Sequence, residues 1–408
     1  MMKIVKGGVT KAKGFEAAGV EANIKYQGRT DMAIIFSKEP CVAAGTFTTN
    51  VAKAAPVTWD QKIVKEGKAA QAIIVNSGIA NACTGAEGYG YCKDTADAAA
   101  KELGISADSV LLGSTGVIGK QLPIDRIQAG VKMLAEAKSD TVQAGTEAAK
   151  AIMTTDTCEK EIAVEIEIGG KTVTIGGMAK GSGMIHPNMG TMLCFITTDC
   201  AVSSEMIRKA LLFNVKRTFN RVTVDGDTST NDMCTVLANG MAGNAEITAE
   251  DPAYEAFREA LQTVMQDLAR KIAADGEGAS KLMTCTVKGA KDEETAEVLA
   301  KSIAGSSLTK AAMFGSDANW GRVLCAMGYS GAEFNTEKVL VEFASKEGSI
   351  AVCEDGRGLD FDEDLAKKIL SQDEVEINVT LQEGSGSATC WGCDLTYDYV
   401  KINGDYRT

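Results

Sequence analysis

Short apolar runs alternate with amphipathic ones along this chain, and that alternation limits the possible folds more than any other feature. Met32 to Phe36 and Ala72 to Val75 read as strands, whereas Asp94 to Leu103 and Ile124 to Ala137 read as helices. A repeat near two marks a strand and one near 3.6 an amphipathic helix. Lys160 to Ile175 predicts a hairpin: Ile162, Val164, Ile166 and Ile168 alternate with polar neighbours, Gly169-Gly170 supplies the turn, and Val173 and Ile175 resume the pattern. A long helix begins at Asp251-Pro252, a cap followed by proline, places Tyr254, Phe257, Leu261, Val264, Leu268 and Ile272 on one face, and ends at Asp275-Gly276. After Gly278 come a strand (Met283 to Val287), a helix (Glu293 to Ile303), a strand (Lys338 to Phe343), a helix (Leu365 to Leu370) and a strand (Val375 to Leu381). The pattern predicts a mixed α/β protein with a smaller αβ lobe over residues 283–400.

Charge and apolar distribution exclude several classes. Lys plus Arg number 42 against 55 Asp plus Glu, a formal net charge of −13, which disfavours a nucleic-acid backbone as partner. Two 18-residue stretches carry no charge, Ala69 to Ala86 and Gly181 to Thr198, but Asn, Ser, Thr and Gly interrupt both, so neither spans a bilayer. Lys3 and Lys6 precede any apolar run long enough for export, and the expected location is the cytoplasm. Twelve cysteines scattered from Cys41 to Cys393 fit a reduced, buried population.

Few residues offer chemistry in obvious ways. With His186 as the one histidine, a Ser-His-Asp triad or a multi-histidine metal site has little to draw on, so a catalytic base must come from elsewhere and no metal or other cofactor is expected. Cys390-Trp391-Gly392-Cys393 has redox or half-zinc spacing, but no second such pair exists, and we read it as structural. Gly113 to Gly119 lacks the spacing and Lys-Ser/Thr pair of a phosphate loop. The spacing of Asp225 to Asp232 lacks the required sixth-position glycine and final glutamate of a calcium loop, and the run reads as a turn network. The informative run is Gly177 to Asp199, with glycines, Lys180, a Pro187-Asn188 turn and then a strand. Composition alone would make it a tight loop entering a buried strand.

That run resembles the signature of the ornithine acetyltransferases, also called glutamate N-acetyltransferases of arginine biosynthesis: Lys-Gly-x-Gly-Met-Ile-x-Pro-Asn-Met-Ala-Thr-Met-Leu, with Gly190 in place of the usual Ala. The similarity extends along the chain through Asn76-Ser77-Gly78, Asn81 to Gly85, Ser114 to Gly119, Asn220-Arg221, Asp225 to Asp232, Asn319 to Arg322 and Asp405 to Thr408. Ile79, Ala318 and Gly404 depart from the usual Asn, Pro and Ala, and none of these changes removes a reactive group.

The resemblance implies a layered αββα-type core and a precursor that cuts itself between Gly190 and Thr191, leaving interwoven α (1–190) and β (191–408) segments. Thr191 would then be both N-terminus and nucleophile. A free α-amine, with pKa about 8, lies within reach of its own hydroxyl and can act as the base. The Thr115 hydroxyl and Gly116 N–H would form the oxyanion hole, and Thr154, Lys180, Thr191, Glu277, Asn403 and Thr408 the substrate site. Acetyl would move from N-acetylornithine to glutamate through an acetyl-Thr191 ester. Family members differ on whether acetyl-CoA is also a donor, and two copies of each segment are the family expectation. Alone, Lys180 in a glycine-rich loop and Glu277 beyond a helix end would read as solvated charges, and Ser114-Thr115-Gly116 as an ordinary turn. Two rivals stay open: an aminopeptidase or amidase of the same self-cutting architecture, and an uncut small-molecule-binding or thiol-regulated protein.

Overall fold

The computed structural model describes residues 2–186 and 192–405; Gly190, Thr191 and Thr408 lie outside them. The chain divides into two compact units, Met1–Gly181 with Pro187–Asn220 and Thr228–Leu268, and Ser182–His186 with Arg221–Asp227 and Ala269–Thr408. Both are mixed α/β, the class the alternating pattern implies.

The described strands of the first unit form a nine-stranded sheet, ordered Lys3–Val5, Lys160–Ile168, Lys171–Lys180, Leu193–Thr198, Met233–Ala238, Met32–Phe47, Ala70–Asn76 and Val110–Ser114, with Phe15–Val20 paired to Met32–Phe47. The Gly169-Gly170 turn joins its strands with φ of +58° and +75°, as a type I′ hairpin requires. Met32–Phe47 runs for 16 residues because an irregularity between Phe36 and Cys41 lets each half pair with different partners. Its first half joins Phe15–Val20 and Ala70–Asn76, and its second half Met233–Ala238. Leu193–Thr198 and Met233–Ala238 are parallel and buried at every position, the profile of strands covered on both faces.

Helix Ile124–Ala137 has the predicted bounds, but the preceding one starts at Gly85, not Asp94. Glycines 85, 88 and 90 weaken its helical signal. Gly88 is required there, since a Cβ would stand 2.1 Å from Thr84 Oγ1. Pro252–Ala274 has the predicted start and apolar stripe, its first turn capped by Asp251 Oδ1, which accepts from Tyr254 N–H at 2.9 Å.

In the second unit seven strands pair in the order Arg357–Gly358, Gly348–Glu354, Leu340–Ser345, Glu374–Thr380, Leu282–Ala290, Gly386–Cys393 and Val222–Thr223. Helix Glu293–Gly305 lies on the Leu282–Ala290 and Gly386–Cys393 strands. Lys281 donates to Met313 O at 2.6 Å and Leu370 O at 2.7 Å, tying its cation to the C-terminal turns of helices Ser307–Phe314 and Glu363–Leu370. No helix among the described residues is long and apolar enough to cross a membrane.

Asp60, on helix Ala55–Lys65, is fully buried; its Oδ1 accepts from Leu112 N–H at 2.8 Å, while Oδ2 has no partner among the described residues. Burial raises its pKa well above the ordinary carboxylate value. The folded state therefore keeps a proton that the unfolded chain releases near pH 4, so this contribution to stability is lost as pH rises through and above that point. Asp60→Asn, which cannot ionise, should gain in melting temperature relative to the native chain between pH 5 and pH 8. A difference constant across that range would contradict it.

Candidate active site

Parallel strands Ala70–Asn76 and Val110–Ser114 end level with each other, Asn76 beside Ser114, and their extensions are stitched together. Thr115 N–H donates to Asn76 O at 3.0 Å, Val117 N–H to Gly78 O at 3.1 Å and Ala80 N–H to Val117 O at 3.0 Å. Buried Asn231 fastens both extensions, its Nδ2 donating to Ala80 O at 2.6 Å and Ser114 O at 2.7 Å. Gly116 sits at φ +125°, and a Cβ there would lie 2.3 Å from the carbonyl carbon of Gly78. Ser114-Thr115-Gly116 is thus a turn whose backbone is fixed from several sides, with part-exposed Thr115 at its tip. Donors fixed in this way can stabilise an oxyanion without rearranging.

Elsewhere in the same unit, Lys180 ends its strand only 7% exposed and donates to Thr154 Oγ1 at 2.9 Å. Beside them is Asp156, whose Oδ1 accepts from Lys160 Nζ at 2.8 Å and from Gly181 N–H at 2.7 Å. Its Oδ2 accepts from Thr154 N–H at 3.1 Å and faces Lys180 Nζ at 3.6 Å. Burial alone would raise the Asp156 pKa, but the Lys180 and Lys160 ammoniums and the donated hydrogen bonds hold it well below the usual range.

The second unit holds the other two predicted contacts together. Glu277, 6% exposed, accepts from Asn403 Nδ2 at 2.7 Å through Oε2. Its N–H donates to Ser182 O at 3.0 Å, and Ser182 Oγ donates to Asp275 O at 2.7 Å. A Cβ on Gly183 would fall 2.3 Å from the Glu277 carboxyl carbon, so the second glycine of the signature leaves the space that carboxylate fills. Asn403 lies on helix Tyr397–Gly404, so in the described residues the C-terminal part folds back to Glu277. Lys180 and Glu277 are therefore buried charges, not the solvated ones that composition suggests.

The other residues singled out in the sequence make local hydrogen bonds or lie buried. Asp225 accepts from Met184 N–H at 2.6 Å and Ile185 N–H at 2.8 Å, bracing a turn. His186 Nδ1 is 3.0 Å from Thr223 Oγ1; burial, aided by Lys301, lowers its pKa to about 4, so it is neutral near pH 7. Cys390 and Cys393 stand three residues apart on one strand, hence on opposite faces; burial pushes the Cys390 thiol up to about 12 and the Cys393 thiol above its ordinary value. Thr115, Gly116, Thr154 and Lys180 lie in the first unit and Glu277 and Asn403 in the second, while Gly190, Thr191 and Thr408 fall outside the described residues. Sequence reasoning assigned no role to Asp156, Lys160, Gly183 or Asn231, although Gly183 and Asn231 lie in the quoted blocks.

In this mixed α/β protein the first unit holds a backbone-built turn and a buried cation on Thr154, and the second a buried carboxylate on Asn403. The sequence matches the ArgJ family over residues 16–408. Arginine biosynthesis bifunctional protein ArgJ 1 of Clostridium acetobutylicum is 50% identical over 402 residues, 98% of this chain and 97% of its own length. The ArgJ protein of Bacillus subtilis is 46% identical over 404 residues, 99% and 97% of the two chains. Among solved structures, the Bacillus halodurans ArgJ protein is 46% identical with a TM-score of 0.49, matching 52% of this chain and 97% of its own. Ornithine acetyltransferase of Mycobacterium tuberculosis, solved with ornithine, is 42% identical with a TM-score of 0.44, matching 46% of this chain and 99% of its own. The chain belongs to the ArgJ family, as its signature run implies.

The turn's dependence on glycine is testable. Gly116→Ala meets both positive φ and the Gly78 carbonyl, and should lower unfolding free energy by about 3 kcal/mol. Gly119→Ala, at φ +82° with open space around it, should lower it by about 1 kcal/mol. Urea midpoints check both values, and equal losses would mean that the close approach to Gly78 carries no weight.

Proposed function

We propose that the protein is a self-processing acetyltransferase that moves acetyl from N-acetylornithine to glutamate, with Thr191 as nucleophile. The observation that carries this reading is the burial of two opposite charges at hydrogen-bonded positions, Lys180 donating to Thr154 and Glu277 accepting from Asn403, in a chain of this family. N-acetylornithine and glutamate each bear an α-carboxylate, which a lysine can pair with, and ornithine adds a δ-ammonium that suits a carboxylate. Full-length relatives at 46–50% identity carry names placing them in arginine biosynthesis.

In this mechanism Thr191 Oγ attacks the Gly190 carbonyl carbon and the Gly190–Thr191 C–N bond breaks, shifting the acyl group from nitrogen to oxygen. That shift frees the Thr191 amine, and water then hydrolyses the ester, releasing the Gly190 carboxylate and restoring the Thr191 hydroxyl. That amine next takes the hydroxyl proton as Oγ attacks the acetyl carbonyl of N-acetylornithine. The tetrahedral intermediate collapses to an acetyl ester, and ornithine leaves with the proton. Glutamate's amine then attacks the ester and regenerates Thr191, a ping-pong exchange. The Thr115 hydroxyl and Gly116 N–H would hold each oxyanion, such donors being worth about 3 to 4 kcal/mol apiece. Thr408 would join the substrate contacts. The reaction needs no metal or other cofactor, and each active particle would contain two copies of each segment. The relatives are named bifunctional, and acetyl-CoA is our proposed second donor to glutamate.

Intact mass spectrometry should find two polypeptides of 190 and 218 residues, meeting at Gly190/Thr191, in place of one chain of 408. Thr191→Ala should remain uncut and inactive, while Thr191→Ser should keep partial cutting and reduced turnover. Full activity from an uncut chain would refute the mechanism. Offering N-acetylornithine or acetyl-CoA as donor to glutamate resolves the second activity.

A further inference from the structure

Asp156 lies in the loop between helix Val142–Ala151 and strand Lys160–Ile168, with none of its side chain exposed. Its four neighbours divide evenly: each oxygen accepts one backbone N–H, from Gly181 or Thr154, and each faces one ammonium, that of Lys160 or Lys180. A carboxylate engaged in this way is poorly placed to take a proton from a reacting group. What it can do is set the position of its neighbours.

Those neighbours are informative. Two of them, Thr154 and Lys180, are candidate substrate contacts, and a third, Gly181, begins the loop of the signature. A lysine is a point charge on a flexible four-carbon stem, and burial favours its neutral form unless an opposite charge is near. Here Thr154 Oγ1 directs the Lys180 ammonium through a 2.9 Å hydrogen bond, while Asp156 at 3.6 Å supplies the opposite charge. Lys160, itself buried, keeps Asp156 from being a lone anion once Lys180 turns toward a ligand.

We propose that Asp156 is the positioning residue of this site: it holds Lys180, Thr154 and the start of the signature loop in the arrangement that lets the Lys180 ammonium receive a substrate carboxylate. The inference rests on the reading of Lys180 as a substrate contact. Asp156 acts through Lys180, so the consequence of losing it should fall on substrate binding, and should vanish where Lys180 is already gone.

The experiment is a double-mutant cycle on the full-length protein with Asp156→Asn, Lys180→Ala and the pair, reading KM for N-acetylornithine and kcat at saturating glutamate. Asp156→Asn should raise KM at least tenfold and leave kcat within threefold. The double variant should have a KM within threefold of that of Lys180→Ala. An unchanged KM in Asp156→Asn, or effects that multiply in the double variant, would overturn the proposal alone. An unchanged KM in Lys180→Ala would overturn the substrate role of Lys180 and the proposal with it. Should Asp156→Asn fail to fold for want of a charge beside Lys160, Asp156→Asn combined with Lys160→Met removes both charges. It should show the same rise in KM, and a native KM there would equally sink the idea.

Discussion

Two parallel strands in mid-sheet are the constraint on which the first unit depends. Leu193–Thr198 and Met233–Ala238 pair with each other, and each has a further neighbour from before residue 190: Lys171–Lys180 on one side and Met32–Phe47 on the other. Every residue in both strands is buried, so water cannot substitute for the ladder hydrogen bonds. The sheet is one object made from both sides of the Gly190–Thr191 peptide, and breaking that bond would remove no strand pairing.

In each unit the candidate residues are placed as much by close backbone approach as by side chains. Gly116 lies against the Gly78 carbonyl and Gly183 against the Glu277 carboxylate, and in both cases the missing Cβ is what permits contact. The charged groups follow the same logic of confinement. Lys180 donates to Thr154 and Glu277 accepts from Asn403, hydrogen bonds that fix the direction of each charge, with Asp156 beside Lys180 as its counter-charge. Groups oriented in advance leave little ordering to be done when a ligand binds to either of them.

Much of the fold was legible because local chemistry and tertiary environment agree. The Lys160–Lys180 hairpin has alternating apolar residues and a glycine pair at its turn, and Pro252–Ala274 has both cap and stripe. Where they disagree the sequence misleads: Gly88 is required by packing on Thr84 yet dilutes helical pattern, and Cys390 with Cys393 carries a motif spacing inside an ordinary buried strand. The site was legible mainly through resemblance. Thr154 and Lys180 are 26 residues apart, and only the sheet and its loops bring them into contact. Asp156 gave no signal for the same reason, because its partners come from the Thr154–Lys160 loop and from the far end of the adjoining hairpin.

The interleaved strand order also bears on how the protein is made. A nascent chain that has reached only Lys180 holds two strand edges, along Lys171–Lys180 and the second half of Met32–Phe47, that wait for partners not yet synthesised. Synthesis through Thr198 supplies the partner of the first edge, and synthesis through Ala238 that of the second. The first unit's sheet is thus complete only after residues on both sides of the Gly190–Thr191 peptide have been synthesised.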